Sequence, residues 1–197
     1  ARLRQKGNNR TFMQIRCALV GMPGSGKSTV GRQLAHRLGL PVVDLDYRIE
    51  QVLGTTIRQY FDAEGEERFR DLEAQVLADV AAQPGGMVLS TGGGAVLRPE
   101  NRETLRQFGT VLYLRASPED IYRRVRHDRT RPLLQVANPL ERLRELYAQR
   151  DGLYRETAHF VIETGRPTVS TLVNMVMMQL EMAASAQGSG AHTPADF

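Results

Sequence analysis

The segment Gly21-Met22-Pro23-Gly24-Ser25-Gly26-Lys27-Ser28 constrains the fold of this chain more than any other stretch. It satisfies the pattern GxxxxGK[ST] at every fixed position. It also stands between a continuously apolar run, Ile15 to Val20, and a stretch whose apolar residues Val30, Leu34 and Leu38 share one helix face. The residue types follow from phosphate chemistry. Glycines let backbone amides curl around phosphate oxygens with no Cβ in the way. Lys27 adds a positive charge for the β- and γ-phosphates of a nucleotide, and Ser28 offers a hydroxyl to Mg²⁺. The helix that starts there turns its partial positive end toward the anion. A strand, a tight loop and a helix are therefore predicted in that order, with Gly24, Ser25, Gly26, Lys27, Ser28 and Thr29 holding ATP. The alternatives are a glycine-rich turn that matches by chance, or a nucleotide-driven switch that transfers no phosphate to a small molecule.

Apolar runs of strand length alternate with amphipathic stretches from Ile15 to about Met182, the signature of an α/β fold with a parallel sheet. Five strands are predicted: Ile15 to Val20, Pro41 to Leu45, Met87 to Thr91, Thr110 to Leu114, and His159 to Glu163. Each is apolar throughout its centre, as strands covered on both faces must be. Phe69, Leu72, Val76 and Val80 mark a second helix stripe. Ser117 before Pro118, Glu119 and Asp120 supplies a cap, a proline at the first helical position and acids at the positive end, and Asn138 before Pro139 repeats the device. The expected architecture is a three-layer P-loop NTPase fold, a five-stranded parallel sheet flanked by helices, with a mobile lid.

With 197 residues, 41% of them hydrophobic, there is material for one core. One domain is expected over 15–183, with a flexible extension at 1–14 and a disordered tail at 184–197, where Gln, Gly, Ser, Pro and Ala dominate. No run of about 18 apolar residues is present, and Ala1 to Arg10 lacks the apolar centre of a secretory signal, so no membrane partner and a cytoplasmic setting are expected. Cys17 is the single cysteine and is expected to pack inside a strand. The net charge of +4 invites a nucleic-acid partner, but the basic residues are almost all arginines interleaved with acids, as at Arg142, Arg144 and Glu145. The local excess from Arg123 to Arg131 suits a small polyanion at least as well, so no nucleic-acid partner is expected, and a monomer is.

Three further groups carry possible chemistry. Asp44 and Asp46 close the second predicted strand, where residues two apart point the same way, so both carboxylates can face the carboxyl end of the sheet. The competing explanation is a capping pair for the next helix. Thr91-Gly92-Gly93-Gly94 follows the third strand, and three glycines cost backbone entropy that a close approach to a ligand would justify, unless they form only a flexible connector. Arg70 and Arg150 cannot be singled out by spacing from the other arginines.

Taken in order, the phosphate loop, Asp44-Leu45-Asp46, Phe69-Arg70 with Glu73, Gly92-Gly93-Gly94, Arg131-Pro132-Leu133-Leu134, and Arg150 with Leu153-Tyr154-Arg155 resemble the shikimate kinases over about Arg16 to Met182. The resemblance implies transfer of the γ-phosphoryl group of ATP to the 3-hydroxyl of shikimate, on the route to chorismate and the aromatic amino acids. By that resemblance Arg70 and Arg150 grip the substrate carboxylate, while Asp46 and the backbone of Gly92, Gly93 and Gly94 hold the ring hydroxyls. Asp46 then orients or deprotonates the attacking hydroxyl, Asp44 joins Ser28 around Mg²⁺, and Lys27 and Arg131 neutralise charge on the transferring group. Arg124 and Arg166 flank the adenine, and a lid over about 126–138 closes on the site. A gluconate kinase is the nearest rival, its acceptor also being a hydroxy acid.

Overall fold

The computed structural model describes residues 14–127 and 135–188. Five strands form one parallel sheet: β1 (Arg16–Val20), β2 (Val42–Asp44), β3 (Met87–Ser90), β4 (Thr110–Arg115) and β5 (Phe160–Glu163), in the order β2-β3-β1-β4-β5. Seven helices are described: α1 (Lys27–Leu38), α2 (Leu45–Leu53), α3 (Ile57–Ala82), α4 (Pro99–Phe108), α5 (Pro118–Val125), α6 (Pro139–Thr157) and α7 (Val169–Gly188). Each predicted strand is present, and the fold is that of a P-loop NTPase.

Alternation along β1 sorts the core into two layers. Cys17 and Leu19 face α1 and α7, joined by Val88, Leu112, Leu114 and Ile162. Ala18 and Val20 face the other way, into a layer that packs α2 to α6 against Leu89, Val111 and Tyr113. Because both faces are covered, the central strands show no polar alternation, and β3 is buried at all four positions. Leu34, fully buried on α1, shows what the packing is worth: Leu34→Ala would cost about 2–5 kcal/mol.

The caps read from sequence are in place. Ser117 Oγ accepts from Asp120 N, Asn138 Oδ1 accepts from Glu141 N, and proline follows each. Thr56 and Gln59 add a reciprocal capping box to α3. That helix is broken at Gly65, whose φ of 86° and ψ of 173° no helical residue adopts, so its two halves point differently. The stripe from Phe69 to Val80 lies wholly in the second half. α7 runs through Gly188, past Ser185, because Met182-Ala183-Ala184-Ser185-Ala186 are residues a helix tolerates well. Among the described residues no helix is long and apolar enough to cross a membrane.

The strand order decides where a ligand can sit. β1 feeds α1 across one face toward β2, whereas β3 feeds α4 across the other face toward β4. The two connections diverge beyond the carboxyl ends of β1 and β3, and such a divergence opens a crevice in parallel sheets.

Candidate active site

Gly21 turns the chain out of β1. Its φ is 149°, and a Cβ there would lie 2.6 Å from the Leu114 carbonyl oxygen, so only glycine fits. The loop closes on Gly26, the α1 N-cap, which has no side chain to satisfy the first-turn amides and leaves them available to an anion. Lys27, 7% exposed, donates from Nζ to the Gly21 and Met22 carbonyls, 2.8 Å each, and so lies across the loop. Ser25 Oγ is buried with no partner among the described residues. Ser28 Oγ donates to Asp44 Oδ2 at 2.7 Å and stands 3.5 Å from Ser90 Oγ. These oxygens form an all-oxygen donor set suited to Mg²⁺, which takes one or two protein ligands and fills its shell with water and phosphate.

Arg124, on α5, reaches the Ser25 carbonyl at 3.5 Å and the Thr164 hydroxyl at 3.4 Å, and also donates to the Thr164 carbonyl. It therefore bridges the phosphate loop to the turn after β5, where Arg166 is exposed. Thr29 is exposed in the first turn of α1. Arg131 and most of the 126–138 segment lie outside the described residues.

The paired carboxylates need a correction. β2 ends at Asp44, and Asp46 lies in the first turn of α2, so the two do not share a strand face. Asp44 caps α2, accepting from Tyr47 N at 3.3 Å, while its other oxygen takes the Ser28 hydroxyl. A carboxylate at an N-cap satisfies helix amides, and that ends a strand which hydrophobicity alone would extend. Asp46 nonetheless faces the same crevice. The residue still reaches solvent at the mouth of the crevice, and its carboxyl pKa is pushed up to about 6 by the desolvating walls on its inner side and next by the charge of Asp44, with Lys27 opposing.

Each glycine of the triplet abuts a different part of the site. A Cβ on Gly92 would lie 2.6 Å from Asp46 Oδ1, and one on Gly93 2.6 Å from Pro23 Cδ in the phosphate loop. One on Gly94 would lie 2.5 Å from Arg70 Nη1. A connector needs none of these approaches; here the run packs backbone against phosphate loop, acid and arginine at once.

Arg70 projects from the second half of α3 and is ion-paired to Glu73 at 2.6 Å, the glutamate being 1% exposed. Burial raises the Glu73 carboxyl, while Arg70 pulls it back by charge and hydrogen bond and Arg150 by its charge alone. Arg150, on α6, also lies against Tyr154, whose hydroxyl donates to the Gly93 carbonyl at 2.6 Å. Both Arg70 Nε and Arg150 Nε are buried without a partner among the described residues, an unusual cost for a cation with nothing to bind. Beside Asp46 a cleft of about 610 Å³ opens between α2 and α3, lined by Glu50, Thr56, Ile57, Arg58 and Phe61. A cleft of similar size around Arg16, Arg106 and His159 lies at the amino ends of the strands, away from these groups.

Two members of this constellation carry no local sequence signal for their roles. Glu73 looks like one more acid on a charged helix, and Tyr154 like one more core aromatic. Only the three-dimensional convergence on Arg70, Arg150 and Gly93 sets them apart.

A sequence profile of the shikimate kinases matches residues 23–181. The shikimate kinase of Paracidovorax citrulli is 59% identical over 172 residues, covering 86% of this chain and 94% of its own. The chain belongs to the shikimate kinase family. Among solved structures, a shikimate kinase from Acinetobacter baumannii in complex with shikimate superposes with a TM-score of 0.82 at 40% identity, covering 89% of this chain and 98% of the other. A gluconokinase from Sinorhizobium meliloti shares the fold alone, with a TM-score of 0.60 at 16% identity. That contrast favours the shikimate kinase family over the rival acceptor class.

Proposed function

We propose that the chain transfers the γ-phosphoryl group of ATP to the 3-hydroxyl of shikimate, giving shikimate 3-phosphate and ADP. The observation that carries this reading is the convergence of two half-sites beyond the carboxyl ends of the central strands. The phosphate loop with Ser28 and Asp44 meets Asp46, Arg70, Arg150 and the glycine triplet there.

Arg70 and Arg150 bind the acceptor carboxylate, a task for planar guanidinium groups that stay charged. Glu73 holds Arg70 at 2.6 Å and so limits its rotamers before the acceptor arrives. The backbone of Gly92, Gly93 and Gly94, together with Asp46, holds the ring hydroxyls. Asp46 accepts the proton of the attacking hydroxyl as the oxygen bonds to the γ-phosphorus and the bond to the ADP oxygen breaks. A carboxyl whose pKa lies near 6 is a better base than an ordinary aspartate and is still ionised at neutral pH. Lys27 exchanges its loop carbonyls for phosphate oxygens, and the α1 N-terminus adds its dipole. Ser28, with Asp44, would hold Mg²⁺, which supplies charge neutralisation to the β- and γ-phosphates. Arg124 and Arg166 take the adenine side, and Arg131 with the 126–138 lid completes the charge complement. Phosphoryl transfer asks for this positioning and electrostatics more than for covalent chemistry.

The enzyme acts on small molecules as a monomer in this reading, in the cytoplasm, where a lone buried thiol such as Cys17 is at home. The helix arginines support the absence of a nucleic-acid partner, since Arg142 pairs with Glu145 and Arg144 with Glu119 and Glu141. ADP release from Mg-ATP, followed with and without shikimate, tests the reaction. Turnover that depends on shikimate is expected, and equal turnover without it would overturn the reading.

A further inference from the structure

Tyr154 is fully buried on α6, one turn beyond Arg150, so the two side chains are neighbours on one helix face. Its hydroxyl donates to the Gly93 carbonyl at 2.6 Å, and the Arg150 guanidinium lies close enough to the phenol to act on it. Gly93 is backed on its other side by Pro23 of the phosphate loop. One phenol thus stands between the glycine wall and the arginine wall of the acceptor pocket. We propose that Tyr154 is a positioning residue for the acceptor, its hydroxyl setting the separation between the Gly93 backbone and the Arg150 guanidinium. The inference deepens the proposed reaction and rests on the roles given there to Gly93 and Arg150.

Any buried tyrosine needs a partner for its hydroxyl, so a hydrogen bond alone would signify packing. Three observations go further. The acceptor atom is the central carbonyl of the glycine triplet, and fixing that carbonyl fixes the peptide plane that joins Gly93 to Gly94. The phenol is held from behind: its ring lies 4.9 Å from that of Tyr113 at 34°, and Tyr113 donates to Asp151 Oδ1 at 2.8 Å. Asp151 in turn accepts from Arg155 at 2.8 Å and lies 3.4 Å from Arg115 Nε, which ties the helix segment bearing Arg150 to β4. Burial also pushes the Tyr154 phenol up to about 12, so it remains a proton donor through the neutral range.

The test uses the full chain with Tyr154→Phe, which keeps the ring stack and deletes one oxygen. Shikimate is varied at saturating ATP, ATP at saturating shikimate, and thermal melting is followed alongside. Loss of the positioning bond should raise the KM for shikimate about tenfold while the KM for ATP stays within about twofold. Arg150→Ala should cost less in the Tyr154→Phe background than alone, because the two act through one contact. A shikimate KM that stays within about twofold of the parent, or KM values for both substrates that rise together, would overturn the inference while leaving the reaction standing. An unchanged shikimate KM in Arg150→Ala would instead remove the carboxylate reading and the inference with it. Should Tyr154→Phe fold poorly, Tyr113→Phe releases the ring from Asp151 without touching the pocket; a rise of about threefold in shikimate KM alone is expected, and none would refute the proposal.

Discussion

Replacing Gly94 by alanine puts the acceptor site to a geometric test. The new Cβ would stand 2.5 Å from Arg70 Nη1 and 2.6 Å from Cζ, whereas ordinary contact begins near 3.4 Å, so the guanidinium must withdraw by about 1 Å. A free arginine tip would move at little cost. This one is 13% exposed and bonded to the buried Glu73 carboxylate at 2.6 Å, so moving it stretches a charge-assisted bond. The cost to folding should stay near 1–2 kcal/mol, since the pair can re-form around a shifted rotamer. The cost to acceptor use should be larger, because a displacement of about 1 Å in a positioning group reduces turnover by on the order of 100-fold. Steady-state rates with shikimate and ATP varied in turn would separate the two. A loss of about 100-fold in kcat/KM for shikimate, with the KM for ATP unchanged, is expected. A variant that melts near the parent temperature and keeps its shikimate kinetics would refute the placement of Arg70 and Gly94 in the acceptor pocket.

Other substitutions report on other parts of the site. Lys27→Ala should lower kcat by about 1,000-fold or more with circular dichroism unchanged, as the buried ammonium is the only lysine at the phosphate loop. Arg124→Ala should raise the KM for ATP and leave that for shikimate alone, which separate titrations would show. The Asp46 carboxyl, raised to about 6, should give a rate that falls as pH drops through 6, and Asp46→Asn should remove that limb along with most of the activity. Stability runs the opposite way. A carboxyl with a raised folded pKa stabilises the fold below its unfolded value and loses that contribution as pH rises through 6, so Asp46→Asn should melt higher than the parent at pH 8 and match it near pH 4.

The fold was legible because parallel strands buried on both faces leave an unmistakable mark. Cys17 to Val20, Met87 to Leu89 and Val111 to Leu114 are apolar without interruption. The caps at Ser117 and Asn138 were equally plain, since hydroxyl or amide, proline and acid stand at fixed offsets. Asp44 shows where local pattern fails. Strand spacing and helix capping predict different geometry for Asp44-Leu45-Asp46, and the side chain that caps also answers Ser28, a contact 16 residues away that no local window contains. The break at Gly65 was hidden for a related reason, as a lone glycine in a helical pattern carries no mark of positive φ. The phosphate loop could be read from chemistry alone. Spacing could not pick out the acceptor arginines, because 24 arginines compete for two positions and what sets Arg70 and Arg150 apart is distant in sequence: the approach of Gly94 to Arg70, the charge of Arg150 on Glu73, and the Tyr154 bond to Gly93.

The central claim, phosphoryl transfer from ATP to shikimate, is tested most directly by offering the enzyme equal shikimate and gluconate with Mg-ATP and identifying the phosphorylated acid by mass spectrometry. The account predicts shikimate phosphate as the dominant product, with gluconate left unchanged. Phosphogluconate in comparable amount, or ADP with neither acid phosphorylated, would contradict it.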